Sequence, residues 1–164
     1  MNRTPIPHIM RSLATLIGVC VLGVASFAAW TGAASADSVQ TFKNQATSRC
    51  LDDSGKGLRT VSCNGKITQN WNVHVRGDKS RQLKSIGTGE CLDDSSKGLR
   101  TLQCHPGSSA STKFQSWRVV TFNDGTIWFQ NKATARCLDD SSKGLRTFKC
   151  WPGSNDNSRF QSWF

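Results

Sequence analysis

Beyond residue 36 the chain carries six cysteines that fall into three pairs, Cys50 with Cys63, Cys91 with Cys104 and Cys137 with Cys150, each pair thirteen residues apart. Each pair encloses nearly the same text: CLDDSGKGLRT from Cys50, then CLDDSSKGLRT, letter for letter, from Cys91 and again from Cys137. Downstream come Gln69-Asn70-Trp71, Gln115-Ser116-Trp117 and Gln161-Ser162-Trp163. Upstream run the lead-ins FKNQATSRC, LKSIGTGEC and FQNKATARC, which begin at Phe42, Leu83 and Phe129. Such a chain is three copies of one unit, with boundaries near Gly77 and Asp124 that divide it into residues 37–77, 78–123 and 124–164.

A repeat of this length stacks into a solenoid, radiates as a propeller or closes into a threefold array. Short runs such as WNVHV, WRVV and TIWFQN, separated by Gly, Asn, Asp and Ser, read as strands, and no long helical periodicity interrupts them. Three units of a few short strands are too few for a propeller, whereas closure of the units on one another removes free sheet edges. The expectation is an all-β chain, a β-trefoil of three repeats with pseudo-threefold symmetry and one disulfide per repeat.

At the N-terminus Arg3 and Arg11 precede an apolar run from Leu13 to Trp30, followed by Ala34-Ser35-Ala36. This pattern reads as a secretory signal peptide over residues 1–36, cleaved after Ala36. A membrane anchor is the alternative, but the uninterrupted apolar part is short for a span, so no membrane span is expected in the mature chain. Cys20 leaves with the leader. Export to an extracellular compartment makes an even set of regularly spaced cysteines a disulfide framework. Each bridge closes a short loop and contributes about 3 kcal/mol. Structural zinc is disfavoured, since C-x-x-C is absent and only His74 and His105 follow the leader. Neither metal nor cofactor is expected. The leader holds two of the 21 basic residues and none of the 11 acidic ones, which leaves a net charge of +8. The cations are spread over all three copies, a distribution that favours contact with anionic surfaces without requiring it. No nucleic-acid partner is expected, and the protein reads as a monomer with one domain and a modest core.

The succession C-L-D, second Cys, Q-x-W, three times over, resembles the ricin-type β-trefoil lectin domains, and the likeness covers essentially all of residues 37–164. Lead-ins such as FQNKATARCLDD and endings such as FQSW are most similar to the short repeats of actinohivin-like bacterial lectins. This resemblance implies a secreted, non-enzymatic carbohydrate-binding module with up to three shallow sites for glycans or polysaccharide. It places the sugar-binding carboxylate on Asp52, Asp93 and Asp139. It also places an aromatic before Q-x-W, where Phe114 and Phe160 match and Thr68 does not, and an amide after the second cysteine, where Asn64 matches while His105 and Trp151 differ.

If each disulfide joins directly opposed residues of a hairpin, Asp139 faces Phe148, Ser141 faces Arg146, and Cys137, Asp139, Arg146, Phe148 and Cys150 share one face. Leu138 then points to the core with Leu51 and Leu92. Asp140 and Thr147 lie on the same face as Leu138. A carboxylate accepts hydrogen bonds from sugar hydroxyls, and Val61, Leu102 or Phe148 offers a floor to the C–H face of the ring. On this reading the third unit is the most complete and the first the poorest in aromatics. Where actinohivin-like repeats read V-Y-T this chain reads L-R-T, so Arg59, Arg100 and Arg146 stand in place of a tyrosine. Two readings are open: each Arg pairs with the adjacent Asp and fills the site itself, or it offers forked donors to a hydroxyl-rich or anionic sugar. The Q-x-W residues read as scaffold, with Trp71, Trp117 and Trp163 in the core and the glutamine amides holding loop backbone.

Two other functions fit parts of the chain. The divergent loops HPGSSASTK, 105–113, and WPGSNDNSR, 151–159, suit a protein-interaction or inhibitor trefoil that grips a secreted or surface protein, and the Lys and Arg residues suit an anionic polysaccharide. Catalysis finds no motif. Neither G-x-S-x-G nor H-E-x-x-H occurs, and adjacent carboxylates such as Asp139 and Asp140 point to opposite strand faces rather than flanking one bond. D-x-S-x-K-G is also a poor calcium loop, since Lys occupies its fifth position.

Overall fold

The computed structural model describes residues 37–164 apart from Ser108 and Ser154; residues 1–36, the expected signal peptide, lie outside the described residues. Strand β1 (Ser38–Gln40) leads into hairpin β2 (Arg49–Ser54) and β3 (Gly57–Ser62), then β4 (Trp71–Val75). The pattern recurs as β5 (Arg81–Ser85), hairpin β6 (Cys91–Ser95) and β7 (Gly98–Leu102), and β8 (Trp117–Thr121). It recurs again as β9 (Ile127–Asn131) and hairpin β10 (Arg136–Ser141) and β11 (Gly144–Lys149), ending at Trp163. A short 3-10 turn precedes each Q-x-W tryptophan, at Ile67–Gln69, Ala110–Gln115 and Asp156–Gln161.

Strands β1, β4, β5, β8 and β9 follow one another antiparallel around a ring. Trp163 closes it, bridging Ile127 on one side and Asn44 on the other. The three hairpins cap one end, and β3, β7 and β11 adjoin one another pairwise there. This is a β-trefoil. Trp71, Trp117 and Trp163 fill its centre with Leu51, Leu92, Leu138, Phe42, Leu83 and Phe129, and Leu58, Leu99 and Leu145 pack onto that core from the hairpins. Each tryptophan indole donates to the carbonyl of the core leucine of its own repeat, at 3.2, 3.0 and 3.2 Å, so even the polar atom of the ring is satisfied inside.

The glutamine before each tryptophan spans the backbone on either side of the second cysteine. Gln69 accepts from the amide of Asn64 and donates to the carbonyl of Ser62; Gln115 does the same with His105 and Gln103, and Gln161 with Trp151 and Lys149. Fully buried amides thus take the place of the ladder partners that the chain loses where β3, β7 and β11 end.

Asp53, Asp94 and Asp140, the second aspartates of the repeated text, face inward and tie each repeat to the next. Asp94 accepts Thr134, Thr147 at 2.7 Å and a bidentate Arg136 at 2.6 and 3.1 Å, all from the third repeat. Asp140 accepts Thr47, Thr60 at 2.8 Å and a bidentate Arg49 at 2.7 and 3.2 Å, all from the first. Asp53 accepts Thr88 and Thr101 at 3.0 Å from the second, but Glu90 stands where the other two lead-ins carry Arg, and among the described residues no guanidinium reaches it. Four donors saturate the oxygens of Asp94 and of Asp140, which is what makes a fully buried carboxylate tolerable.

The asymmetry gives an expectation. Asp94→Asn leaves the Arg136 charge without its partner and should cost about 3 kcal/mol, whereas Asp53→Asn loses only hydroxyl contacts and should cost about 1 kcal/mol. Denaturant unfolding of the two variants checks the order and the gap.

Candidate functional site

Hairpin register sets the outward face. Each hairpin closes through a two-residue turn onto a glycine in the left-handed region, with φ of 84° at Gly57, 86° at Gly98 and 81° at Gly144. Ser54, Ser95 and Ser141 therefore pair with these glycines, Asp139 lies opposite Arg146, and Phe148 lies opposite Cys137. This differs by two residues from the expectation based on directly opposed cysteines. The tight turn dictates the register, and the chain bends back after Lys149 to bring Cys150 within 5.0 Å of Cys137, Cα to Cα. The other two bridges, Cys50–Cys63 and Cys91–Cys104, have the same span. A shift of two preserves which face each side chain takes, so Asp139, Arg146 and Phe148 still share one, but the direct neighbour of the carboxylate is the arginine and not the ring.

Arg59, Arg100 and Arg146 lie 3.2, 3.3 and 3.0 Å from Asp52, Asp93 and Asp139. The carboxylates are buried while the guanidinium groups remain about one-third exposed, so these are not loose surface pairs. A carboxylate so enclosed needs a donor, and the arginine supplies one. The three copies differ in how well. Arg146 donates through Nε to Asp139, whose other oxygen takes Gln161 at 3.3 Å. In the first two repeats Nε of Arg59 and of Arg100, and Oδ1 of Asp52 and of Asp93, are enclosed without a hydrogen bond. Asp52 compensates through its second oxygen, which accepts Thr68 at 2.7 Å. Burial raises the Asp93 carboxyl above the usual carboxylate range, against the opposing pull of Arg100 and His105.

The first repeat brings its predicted residues together. Asp52, Arg59, Val61 and Asn64 line one cleft of about 390 Å³, joined by Ser54, Lys56, Lys66 and Thr68. In the third repeat the Arg146 guanidinium lies 4.4 Å over the ring of Phe148, which is 37% exposed, and Trp151 sits 5.8 Å from that ring. Phe160 is half-buried in its 3-10 turn, with its carbonyl held by Asn44. In the second, Leu102 lies half-buried opposite Cys91, and Phe114 is half-buried with its carbonyl held by Asn131.

A family model for the ricin-type beta-trefoil lectin domain-like group matches residues 67–147. The chain carries a ricin-type β-trefoil lectin-like domain. Among solved structures, the trefoil is similar to the designed threefold-symmetric protein ThreeFoil at 19% identity and a TM-score of 0.60, over 76% of this chain and 95% of that one. It is also similar to the Macrolepiota procera ricin B-like lectin in complex with lactose, at 15% identity and 0.60 over 77% and 92% of the two chains. A third likeness is to the GlcNAcα1-4Gal-releasing endo-β-galactosidase from Clostridium perfringens, at 17% identity and 0.63 over 77% of this chain; the trefoil spans only 31% of that enzyme's length. At these identities the likeness is one of fold. Comparison with curated protein sequences finds no match.

Within the trefoil, sequence reasoning did not single out Ser54, Lys56, Lys66 and Thr68 as cleft residues. Thr68 breaks the aromatic pattern before Q-x-W, and the structure shows that the hydroxyl there serves as a donor to Asp52. Among the described residues no group of three or more His, Cys, Asp or Glu is placed to hold a metal ion, and no helix is long and apolar enough to cross a membrane.

The Asp93 shift carries a sign. An acid whose folded-state value is raised binds its proton more readily folded than unfolded, so its contribution is fully present below the unfolded value of 3.8 and is lost as pH rises through the higher folded value. The stability of the wild type relative to Asp93→Asn should therefore fall as pH rises from 3.8, followed by chemical denaturation across the acidic range.

Proposed function

We propose that the protein is a secreted, non-enzymatic lectin whose principal site is the cleft of the first repeat. The observation that carries this reading is the set of groups gathered there: a carboxylate, a guanidinium, an amide and hydroxyls surround Val61 on the outward face of one rigid hairpin. A saccharide ring laid on Val61 presents hydroxyls that accept from Arg59 and Asn64 and donate to the Thr68 oxygen, whose own proton is held by the buried Asp52. Among the described residues Arg59 is held only through Nη2, by Asp52 and Ser54, which leaves the outer edge of its guanidinium to a ligand, whereas Arg146 is held by Asp139 through Nε and by the ring of Phe148. The open question of the arginines divides accordingly: a ligand donor in the first repeat, a partner that fills the site in the third.

The second and third repeats offer weaker versions of the site, around Asp93, Arg100, Leu102 and Phe114, and around Asp139, Arg146, Phe148 and Phe160. Shallow sites on one rigid body combine on a branched or repetitive glycan through effective concentration. The lactose complex of the Macrolepiota procera lectin supports a sugar as the ligand class. Three disulfides support an oxidising, extracellular setting.

A glycan array probed with the secreted protein tests this. Asn64 is exposed, so Asn64→Ala should leave the fold intact and weaken binding to the glycans captured by about fivefold to tenfold, the equivalent of one hydrogen bond. Arg146→Gln should change it by less than about twofold. Absence of binding to any glycan, or indifference to both Asn64→Ala and Asp52→Asn, overturns the reading.

A further inference from the structure

A second cleft lies away from the hairpins, between the β4–β5 turn, β8 and the segment after β9. It encloses about 680 Å³. Lys79, Arg81, Arg118 and Lys132 line it, over a floor that includes Val75, Val119 and Val120. The topology makes these cations converge. Arg81 opens β5 and pairs across to Trp117, which places it beside Arg118, while Lys132 follows β9, the other neighbour of β8. One carboxylate enters the cleft: Asp78 pairs with Lys132 and accepts the Ser80 hydroxyl at 2.6 Å, and these hydrogen bonds hold its carboxyl below the usual range. Three cations then face a single neutralised pair.

Lys79 is the informative member. Its φ of 64° lies in the left-handed region, which residues other than glycine rarely adopt. The third repeat contains the same turn. Asp78 accepts the Ser80 amide at 3.0 Å and its hydroxyl at 2.6 Å, and Asp124 accepts the Thr126 amide at 3.1 Å and its hydroxyl at 2.6 Å. Arg76 and Ser80 close the first turn as Phe122 and Thr126 close the second. At the matching position the third repeat has Gly125, with φ 80°, which takes that conformation without strain. A lysine therefore stands where the local backbone calls for glycine, on the rim of this cationic cleft.

We propose that this cleft binds a stretch of anionic polysaccharide, with carboxylate or sulfate groups along Lys79, Arg81 and Arg118 and sugar C–H faces over the valine floor. The floor separates this ligand from single-stranded nucleic acid, whose unstacked bases seek aromatic platforms, since no aromatic side chain lines the cleft. An adjoining groove that shares Asp78 and Lys132 and adds Arg76 and Lys113 extends the basic track along the surface. The site is separate from the first-repeat cleft and stands without it.

The test measures binding of the full secreted chain to immobilised heparin, which carries sulfate and carboxylate, to polygalacturonate, which carries carboxylate alone, to neutral dextran and to single-stranded DNA. At low salt, heparin or polygalacturonate should bind and dextran should not. The double variant Lys79→Gly, Arg118→Gln should weaken that binding by about tenfold and flatten its salt dependence. Lys79→Gly alone should keep or raise Tm, since glycine suits the turn, so a loss of binding cannot be laid to misfolding. Glycans captured on the array should bind the double variant unchanged, which separates this site from the hairpin cleft. Failure of both polyanions to bind, an equal loss from the charge-matched Lys43→Gln, Lys149→Gln pair, or DNA bound as tightly as either polysaccharide overturns the proposal.

Discussion

The trefoil depends on three buried carboxylates, each belonging to one repeat and satisfied by the next. Asp53 takes hydroxyls from the second repeat, Asp94 from the third, and Asp140 from the first, so the order closes on itself. A repeat removed from this cycle would expose a carboxylate without donors and donors without a carboxylate, and either is costly away from water. Hydrophobic packing around the three tryptophans supplies bulk stabilisation with little direction. The carboxylate cycle supplies direction, because only one relative placement of neighbouring repeats brings the threonine of one lead-in and the threonine of one hairpin onto the same two oxygens.

This explains why a polar stretch is repeated so faithfully. In CLDDSSKGLRT the cysteine closes the disulfide, the first leucine enters the core, the glycine makes the turn, and the second leucine packs beneath the cap. The second aspartate and the threonine belong to the cycle, and the first aspartate and the arginine form the outward pair. Adjacent aspartates thus serve opposite faces, one joining repeats and one anchoring the part-exposed arginine beside it. The positions that vary lie beside that pair: Thr68 and Asn64 in one repeat, Phe114 and His105 in another, Phe160 and Trp151 in the third. The threefold frame is symmetric, and its surfaces are not.

Much of this was legible from the letters. Regular cysteine spacing, Q-x-W and alternating apolar residues carry the trefoil, because each reflects a local requirement: a loop to close, a core position, a strand face. Parity along the hairpin correctly sent Leu138 and Asp140 inward with Thr147. Two things were not legible. Register depended on a turn that pairs Ser141 with Gly144, whereas the cysteines suggested direct opposition; a disulfide limits distance without fixing which residues face each other. The partners of Asp94 lie 40 to 53 residues away in sequence, so nothing near Asp94 announces them. For the same reason the first-repeat cleft, poor in aromatics as text, gains its character from Thr68, which reaches back to Asp52, and from Lys66 on its lining, and the cationic cleft exists only where separate strands meet.

The most direct test of the cycle is a double-mutant analysis across its closing link, where Thr60 of the first repeat donates to Asp140 of the third at 2.8 Å. Thr60→Val, Asp140→Ala and the double variant would be unfolded in denaturant under identical conditions. If the repeats are held together as described, the two substitutions are coupled by about 1 kcal/mol or more, far beyond what residues 80 apart in sequence would show without contact. Additivity within about 0.3 kcal/mol would contradict the account and leave apolar packing alone to orient the repeats.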